Sequence, residues 1–309
     1  MSDANEDLSC CCALCGIAEV DDVKLVPCDG CDLVKYCSDE CQEEHKSEHE
    51  EDCNERAAEL RDELLFKQPE STHMGDCPIC MIPLPIDAMK SNMHSCCSKL
   101  ICNGCYVANH AREMEMRLQH TCPFCRKPMP DTDEEENKRR IKRVEMEDPV
   151  ATSRNGVYHF EEGNYSEAYD YLKKAATLGN VEAHYHLSIM YYEGCGVEKD
   201  EGEFILHAEE AAIAGHPVAR HNLGAHEWNT NDNIDRAVKH WIIAATQGYD
   251  VSIKQLMDFF KLGLVSKENL AATLRAHKAA VDATRNSQRD TGEKIVREVY
   301  ADWPSSLGR

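Results

Sequence analysis

Cysteine is the residue type that most constrains this chain. Of its 18 cysteines, 17 lie between residues 10 and 125, many in pairs separated by two or three residues, and only Cys195 lies outside. The acidic start, residues 1–7, lacks the hydrophobic stretch of a secretory signal, which predicts an intracellular protein of the cytoplasm, the nucleus or both. Thiols stay reduced inside cells, so paired cysteines there indicate metal sites rather than disulfides.

Length and charge exclude several classes of protein. At about 100–200 residues per domain, a chain of 309 residues predicts two or three domains. No apolar run approaches the ~18 residues of a transmembrane helix, so we expect no membrane association. The net charge is −22, and residues 1–70 hold 21 acidic but only 6 basic residues. Because an acidic surface repels phosphate backbones, this charge argues against nucleic acid as a partner.

The first cysteine cluster has the spacing of metal-ligand pairs. Its pairs read C-x-x-C, C-x-x-C, C-x-x-x-C and H-x-x-x-C, and twelve, five and seven residues separate them. The eight members are Cys12, Cys15, Cys28, Cys31, Cys37, Cys41, His49 and Cys53. Because structural zinc takes four ligands in a tetrahedron, they predict two zinc sites. A module of ~45 residues has too little core to fold alone, so the metal supplies the missing stability.

This run resembles the MYND zinc finger, including its Tyr36-Cys37 pair and the final H-x-x-x-C on a helix. The resemblance implies that the pairs interleave. One zinc would take Cys12, Cys15, Cys37 and Cys41, and the other would take Cys28, Cys31, His49 and Cys53. Cys10, Cys11 and His45 are left over, and we expect them not to be ligands because their use breaks the spacing. The resemblance also implies binding of proline-containing peptides from partner proteins.

The second cysteine cluster supplies another eight candidate ligands. Its pairs read C-x-x-C, C-C, C-x-x-C and C-x-x-C, and fifteen, four and sixteen residues separate them. The members are Cys77, Cys80, Cys96, Cys97, Cys102, Cys105, Cys122 and Cys125. Two more tetrahedral sites follow, so the chain is predicted to bind four zinc ions.

This cluster resembles a RING finger of an all-cysteine kind. The resemblance implies a cross-brace with two zinc ions. One would take Cys77, Cys80, Cys102 and Cys105, and the other would take Cys96, Cys97, Cys122 and Cys125. The adjacent Cys96-Cys97 pair departs from the RING pattern, in which one to three residues separate the third and fourth ligands. His94 with either Cys96 or Cys97 is therefore an open alternative.

The RING resemblance implies a function that needs no catalytic nucleophile. RING fingers typically act as ubiquitin ligases, which hold a ubiquitin-charged conjugating enzyme in a reactive position. The residues at the matching contact positions are Ile79, Pro123 and Arg126. Arg126 follows the last ligand, where a planar guanidinium can bridge the conjugating enzyme and ubiquitin. The tryptophan that the family often has before the seventh ligand is missing from residues 106–121.

The third block of the chain contains an internal repeat. A small-residue motif that ends in glycine recurs at residues 175–179, 211–215 and 244–248, with periods of 36 and 33 residues. Such periods indicate a helical array, with each glycine at the left-handed position that ends a helix. Residues 183–197 resemble the Sel-like (SLR) repeat, a relative of the tetratricopeptide repeat.

The histidines of this block lack cysteine or carboxylate partners at ligand spacing, so we expect packing or surface roles for them.

These features predict a multidomain protein in which two small zinc-stapled cross-brace modules precede an all-α helical-repeat solenoid. We expect a MYND finger at 10–53, a helical connector at 54–76, a RING finger at 77–126, a charged linker at 127–150, helical repeats at 151–285 and a polar tail at 286–309. The leading hypothesis is a RING-type ubiquitin ligase. Its partners would be a ubiquitin-conjugating enzyme and a protein substrate or adaptor recruited by the MYND finger and the repeats. The alternative is a non-catalytic, zinc-dependent scaffold for protein interactions.

Overall fold

The computed structural model describes residues 11–20, 22–230 and 233–299. Cys10, Asn231, Asp232 and the last ten residues of the predicted polar tail, 300–309, lie outside this part of the chain. The chain divides into two compact units, one that ends at Lys67 and one that begins at Gln68. None of the helices formed by the described residues is both long enough and apolar enough to cross a bilayer.

The first unit combines a short hairpin with one long helix. Strands β1 (Val26–Pro27) and β2 (Lys35–Tyr36) pair antiparallel, and helix α1 spans Asp39–Leu65. The Ser38 hydroxyl accepts a hydrogen bond from the Cys41 amide at 3.3 Å, which satisfies a free donor at the start of α1. The helix continues without a break from the first cysteine cluster into the segment predicted as a connector. The buried hydrophobic cluster is small and consists of Cys12, Leu25 and Tyr36.

The second unit begins with the RING-like module, which we define as residues 77–126. Strands β3 (Ser91–His94) and β4 (Lys99–Cys102) form an antiparallel hairpin, and helix α2 (Asn103–Glu115) follows β4 directly. Leu84 and Ile101 are buried among the cysteines of this module. Hairpin and helix carry four cysteines of the second cluster, Cys96, Cys97, Cys102 and Cys105, beside a core that is too small to be stable without metal.

Nine further helices follow between residues 133 and 283 of the described chain. They are α3 (Asp133–Glu145), α4 (Pro149–Glu161), α5 (Tyr165–Thr177), α6 (Val181–Glu193), α7 (Glu201–Ile213), α8 (Pro217–Thr230), α9 (Ile234–Thr246), α10 (Asp250–Lys261) and α11 (Lys267–Ala283). From α4 onward, each helix packs on its neighbour in the sequence. This consecutive packing makes a helical solenoid, which confirms the predicted fold class.

The predicted repeat motif lies at the ends of α5, α7 and α9. Gly179, Gly215 and Gly248 have φ angles of 79°, 87° and 98°, which confirms the left-handed conformation expected after each helix. Their amides donate to carbonyls three residues earlier, at 2.8–3.0 Å. The alanine pairs that precede these glycines are buried, so small side chains let adjacent helices pack closely.

Two helices outside the predicted repeats extend this packing. Helix α3 lies in the segment predicted as a charged linker, and its Arg140 guanidinium lies over the Tyr158 ring of α4 at 4.7 Å. Helix α12 (Ser287–Val299) lies in the segment predicted as a polar tail, and it packs on α2. The sequence hides this contact because the buried residues between 287 and 298 are Arg289 and Gly292, which do not form a hydrophobic stripe.

The segment before the RING-like module, residues 68–76, also packs on the solenoid. The His73 amide donates to the Gly215 carbonyl at 3.0 Å, and the His73 ring stacks on His216 with 4.2 Å between centroids. The Thr246 hydroxyl bonds to the Gln68 side chain at 2.9 Å. These contacts and those of α12 join the RING-like module and the solenoid in one unit.

The close helix packing predicts that Gly224→Ala destabilises the second unit. A Cβ atom at residue 224 would lie 2.7 Å from Trp241 Nε1 and 3.0 Å from the Ala237 carbonyl oxygen. The indole is held in place because it donates to the His221 carbonyl at 3.2 Å. Alanine is the better helix former by ~1 kcal/mol, but overpacking costs about 1–3 kcal/mol. We therefore expect a lower midpoint in urea unfolding followed by far-ultraviolet circular dichroism.

Gly202→Ala in α7 is the matched control for this experiment. Gly202 is exposed, and the nearest atom to an added Cβ is Asp200 Oδ1 at 3.3 Å. Asp200 Oδ1 caps α7 by accepting from the Glu203 amide at 3.0 Å, and this side-chain oxygen can shift where the packed indole at residue 224 cannot. Gly202→Ala should therefore change the unfolding midpoint less than Gly224→Ala does. Equal unfolding midpoints for the two alanine variants would contradict the packing argument.

Candidate metal centres

The first unit brings its eight predicted ligands together as two tetrads. Site 1 contains Cys12, Cys15, Cys37 and Cys41, and site 2 contains Cys28, Cys31, His49 and Cys53. Within each tetrad the ligand atoms lie within 4.8 Å of one another. The pairs interleave along the chain in the order that the MYND resemblance implies.

The second unit brings together two further tetrads in the RING-like module. Site 3 contains Cys77, Cys80, Cys102 and Cys105, and site 4 contains Cys96, Cys97, Cys122 and Cys125. Both neighbouring cysteines, Cys96 and Cys97, therefore lie in site 4. The two tetrads alternate along the chain, which is the arrangement of a cross-brace.

The distances within the tetrads match tetrahedral zinc. Zinc–sulfur bonds of about 2.3 Å place the sulfurs of a tetrahedron about 3.8 Å apart, whereas a disulfide needs about 2.05 Å. Sulfur–sulfur distances are 3.5 Å for Cys15–Cys37, 3.6 Å for Cys37–Cys41, 3.7 Å for Cys28–Cys53, 3.8 Å for Cys80–Cys102, 3.3 Å for Cys96–Cys125 and 3.9 Å for Cys97–Cys122. In site 2, Cys31 Sγ lies 3.1 Å from His49 Nε2. Four sites of this chain are thus compatible with structural zinc.

Tight turns present three of the C-x-x-C pairs. The amide of the first cysteine donates to the carbonyl five residues later, as from Cys77 to Ile82 at 3.0 Å and from Cys122 to Lys127 at 2.7 Å. In each turn the residue after the second cysteine has a positive φ: 73° at Gly16, 55° at Met81 and 64° at Arg126. These turns point both sulfurs of a pair at one centre. Helix α1 supplies Cys41, His49 and Cys53, and helix α2 supplies Cys105. The other ligands lie in or directly beside the two hairpins: Cys28, Cys31 and Cys37 at β1–β2, and Cys96, Cys97 and Cys102 at β3–β4.

Electrostatic repulsion between thiolates explains why these clusters need a cation. The hydrogen bond from Cys102, set against the opposing effect of burial, lowers the pKa of Cys77 to about 4. The same bond, together with burial, raises the pKa of Cys102 far above its ordinary value. Four neighbouring thiols therefore cannot all ionise on their own, and a divalent cation compensates the charge that full ionisation creates.

The residues left over from the ligand pairs lie outside the four tetrads. His45 Nδ1 lies 3.0 Å from the Tyr36 hydroxyl, so this imidazole has a hydrogen-bond partner and lies outside the metal sites. Cys11 belongs to none of sites 1–4.

His94 is buried beside Tyr106, at 5.9 Å between ring centroids, and its burial lowers its pKa to about 4. Its ring packs beside site 4, and its two nitrogens have no hydrogen-bond partner.

The three residues expected to contact a conjugating enzyme lie on the cysteine turns of the RING-like module. Ile79 lies between two site 3 ligands and is 42% exposed. Pro123 is half-buried between two site 4 ligands, and Arg126 is exposed directly after the last ligand. The turns thus present all three side chains at least partly to solvent.

One histidine cluster escaped the sequence analysis. Glu182 of α6 lies 3.3 Å from Nε2 of both His73 and His216, and 3.4 Å from Nε2 of His186. His216 Nδ1 accepts a hydrogen bond from the Ala219 amide at 3.1 Å, so its Nε2 carries the proton and donates to the carboxylate. The cluster therefore joins residues 68–76 to the solenoid. Only the Glu182–His186 contact has a local spacing, since these residues lie four apart on α6, and this contact corrects the expectation that the histidines of the block lack carboxylate partners. His73 and His216 come from other segments, so no spacing predicts their contacts with Glu182.

Comparison with known proteins gives one family match, to the first module, and partial structural similarities. The MYND finger family matches residues 12–53. Among solved structures, a Sel1 repeat protein from Oxalobacter formigenes aligns with a TM-score of 0.43 and 22% identity, over 54% of this chain and 50% of that one. A protective antigen of uropathogenic Escherichia coli strains, which displays an SLR fold, aligns with a TM-score of 0.39 and 20% identity, over 54% and 37%. The chain spans half or less of these two structures. No curated protein matches it.

The chain therefore combines a MYND-type zinc finger at residues 12–53, two further cysteine tetrads and a solenoid of helical repeats. The class defined by the fold and the metal centres is thus a multidomain protein with sites for structural zinc.

The four tetrads predict four zinc ions per chain. Elemental analysis of the purified protein measures this ratio directly, and two or fewer ions at full occupancy would contradict one pair of sites. Cys37→Ser should remove zinc from the first unit only, because Cys37 belongs to site 1 and the RING-like module lies in the other unit. Cys195→Ser is the matched control: Cys195 lies outside sites 1–4, so this variant should keep all four ions.

Proposed function

We propose that this protein is a RING-type ubiquitin ligase in which the RING-like module positions a ubiquitin-charged conjugating enzyme. The observation that carries the proposal is the cross-brace of sites 3 and 4, which presents Ile79, Pro123 and Arg126 on its cysteine turns. The module contributes position and restraint, and the reacting thioester belongs to the conjugating enzyme.

Ile79 has the properties of a docking residue. It is an apolar side chain with 42% exposure, held on a turn that two site 3 ligands flank. A turn fixed by metal coordination loses little conformational entropy when a partner binds. Burial of this side chain would therefore contribute most of its transfer free energy to docking.

Arg126 has the exposure and the donor geometry of a bridging residue. Its φ of 64° belongs to the turn, because Gly16 and Met81 have φ angles of 73° and 55° at the equivalent positions. The turn holds the Arg126 backbone directly after the last site 4 ligand and leaves its side chain exposed. The planar guanidinium would there donate to the conjugating enzyme and to ubiquitin at the same time.

The attachment of the RING-like module to the solenoid suits the transfer of ubiquitin to a bound protein. Helix α12 contacts the module at Cys80, Ile82 and Pro83, while the neighbouring Ile79 stays exposed. A partner bound by the repeats would then lie at a fixed position relative to the conjugating enzyme. The MYND finger would supply a second contact for substrate or adaptor proteins.

A non-catalytic scaffold is the second candidate. The observation that favours it is the composition of residues 106–121, which contain no tryptophan. Met114, Met116 and Leu118 are exposed in that segment and offer flexible apolar contacts in place of a rigid indole. In this alternative the same surfaces bind proteins, but no ubiquitin is discharged.

The ligase proposal predicts different defects for two substitutions. Ile79→Ala should weaken docking of the conjugating enzyme by about 1–3 kcal/mol, because it removes buried apolar contact. Arg126→Ala should leave docking nearly unchanged but slow ubiquitin discharge, because the bound conjugate loses its restraint. Binding titrations and single-turnover discharge of charged conjugating enzymes measure the two effects separately.

Met146→Ala and Lys138→Ala are the controls, since both residues are exposed and lie outside the RING-like module. All four variants should bind four zinc ions. If a broad panel of conjugating enzymes shows no discharge above background with fully metallated protein, the ligase proposal is wrong and the scaffold remains.

A further inference from the structure

Arg289 is a buried cation at site 3, although it lies 209 residues from Cys80 in the chain. Its side chain comes from α12 and is 2% exposed. Nη1 donates to the Pro83 carbonyl at 2.6 Å and the Thr284 carbonyl at 2.7 Å. Nη2 donates to the Ile82 carbonyl at 2.8 Å and reaches Cys80 Sγ at 3.2 Å.

Among the described residues, the Arg289 guanidinium contacts carbonyl oxygens and the sulfurs of Cys80 and Cys102 rather than a carboxylate. A buried guanidinium is costly unless an anion compensates it. Four thiolates around Zn²⁺ carry a net charge of about −2, and Cys80 is one of these ligands in site 3. The zinc-loaded tetrad is therefore the anion that faces this cation.

Helix α12 fits against α2 without room for side chains at the crossing. A Cβ on Gly292 would lie 2.7 Å from Gly104 Cα, and a Cβ on Gly104 would lie 2.8 Å from Arg289 Cα. The blocking atoms are backbone, so neither helix can yield by rotating a side chain. Gln288 Nε2 donates to the Gly104 carbonyl at 3.1 Å beside the site 3 ligand Cys105.

We propose that Arg289 is a positioning residue of site 3, and that retention of zinc at this site depends on the docked C-terminal helix. The guanidinium stabilises the tetrathiolate charge through Cys80 and ties the turn of residues 77–82 to α12. Site 4 has no contact with Arg289, so its zinc does not depend on this residue in the same way. The inference concerns the metal and does not require ligase activity.

The test compares full-length variants during zinc competition with the chelator pyridylazoresorcinol. Arg289→Met removes the charge and keeps the length, and it should release one zinc ion at least about tenfold faster than the parent. Arg289→Lys keeps the charge but loses the planar fork of donors. Its rate of zinc release should therefore lie between those of the parent and Arg289→Met. Gly292→Ala separates α12 from α2 by steric conflict and should accelerate release of the same ion without touching a ligand.

Thiol alkylation followed by peptide mass mapping identifies which site has lost its metal. In the Arg289→Met and Gly292→Ala variants, the site 3 cysteines should be alkylated faster than in the parent. They should also be alkylated before the site 4 cysteines of the same variant. Arg297→Met is the matched control, because Arg297 lies exposed on the same helix, and its alkylation and zinc release should equal those of the parent. Parent-like release in both Arg289→Met and Gly292→Ala would overturn the proposal. Equal increases in the alkylation rates of the site 3 and site 4 cysteines would overturn it as well, because such a result indicates general unfolding of the module.

Discussion

Coordination of zinc by thiolates and one imidazole is the interaction on which both cysteine-rich modules depend. The buried hydrophobic cluster of the first unit has only three residues, and that of the RING-like module consists largely of the ligands themselves. Cores of this size do not offset the conformational entropy of folding. The raised pKa of Cys102 beside Cys77 shows the cost of crowding thiols without a cation. Metal binding is therefore part of folding in these modules rather than an addition to it.

The solenoid is stabilised differently, by helix packing around small residues. Buried alanines and glycines such as Gly224 let consecutive helices approach, and aromatic residues such as Trp241 fill the space between them. The RING-like module is attached to this array through residues 68–76 on one side and α12 on the other. Its position relative to the repeats is thereby defined, which is what a ligase or a scaffold needs to hold two proteins in a set arrangement.

Local patterns in the sequence carried the prediction of the tetrads and the repeats. The spacing of the ligand pairs indicated two sites in each cluster, and the MYND and RING resemblances implied which cysteines share a site. The period of the glycine motif indicated the helical ends at Gly179, Gly215 and Gly248. Contacts between distant segments were not predictable in this way. Arg289 meets Cys80, and His73 meets Glu182, across more than 100 residues, and neither pair follows a spacing rule. The packing of helix α12 was not predicted either, because a buried arginine and a buried glycine do not form an apolar stripe.

Hydrogen–deuterium exchange of the full chain with and without a zinc chelator tests most directly whether metal holds the RING-like module and its contact with α12 together. The account predicts that chelation removes protection from residues 77–126 and from α12 together, while α5 to α9 keep their protection. Protection of α12 that survives complete removal of zinc would contradict it. Loss of protection in α5 to α9 at the same chelator concentration would contradict the separate stabilisation of the solenoid.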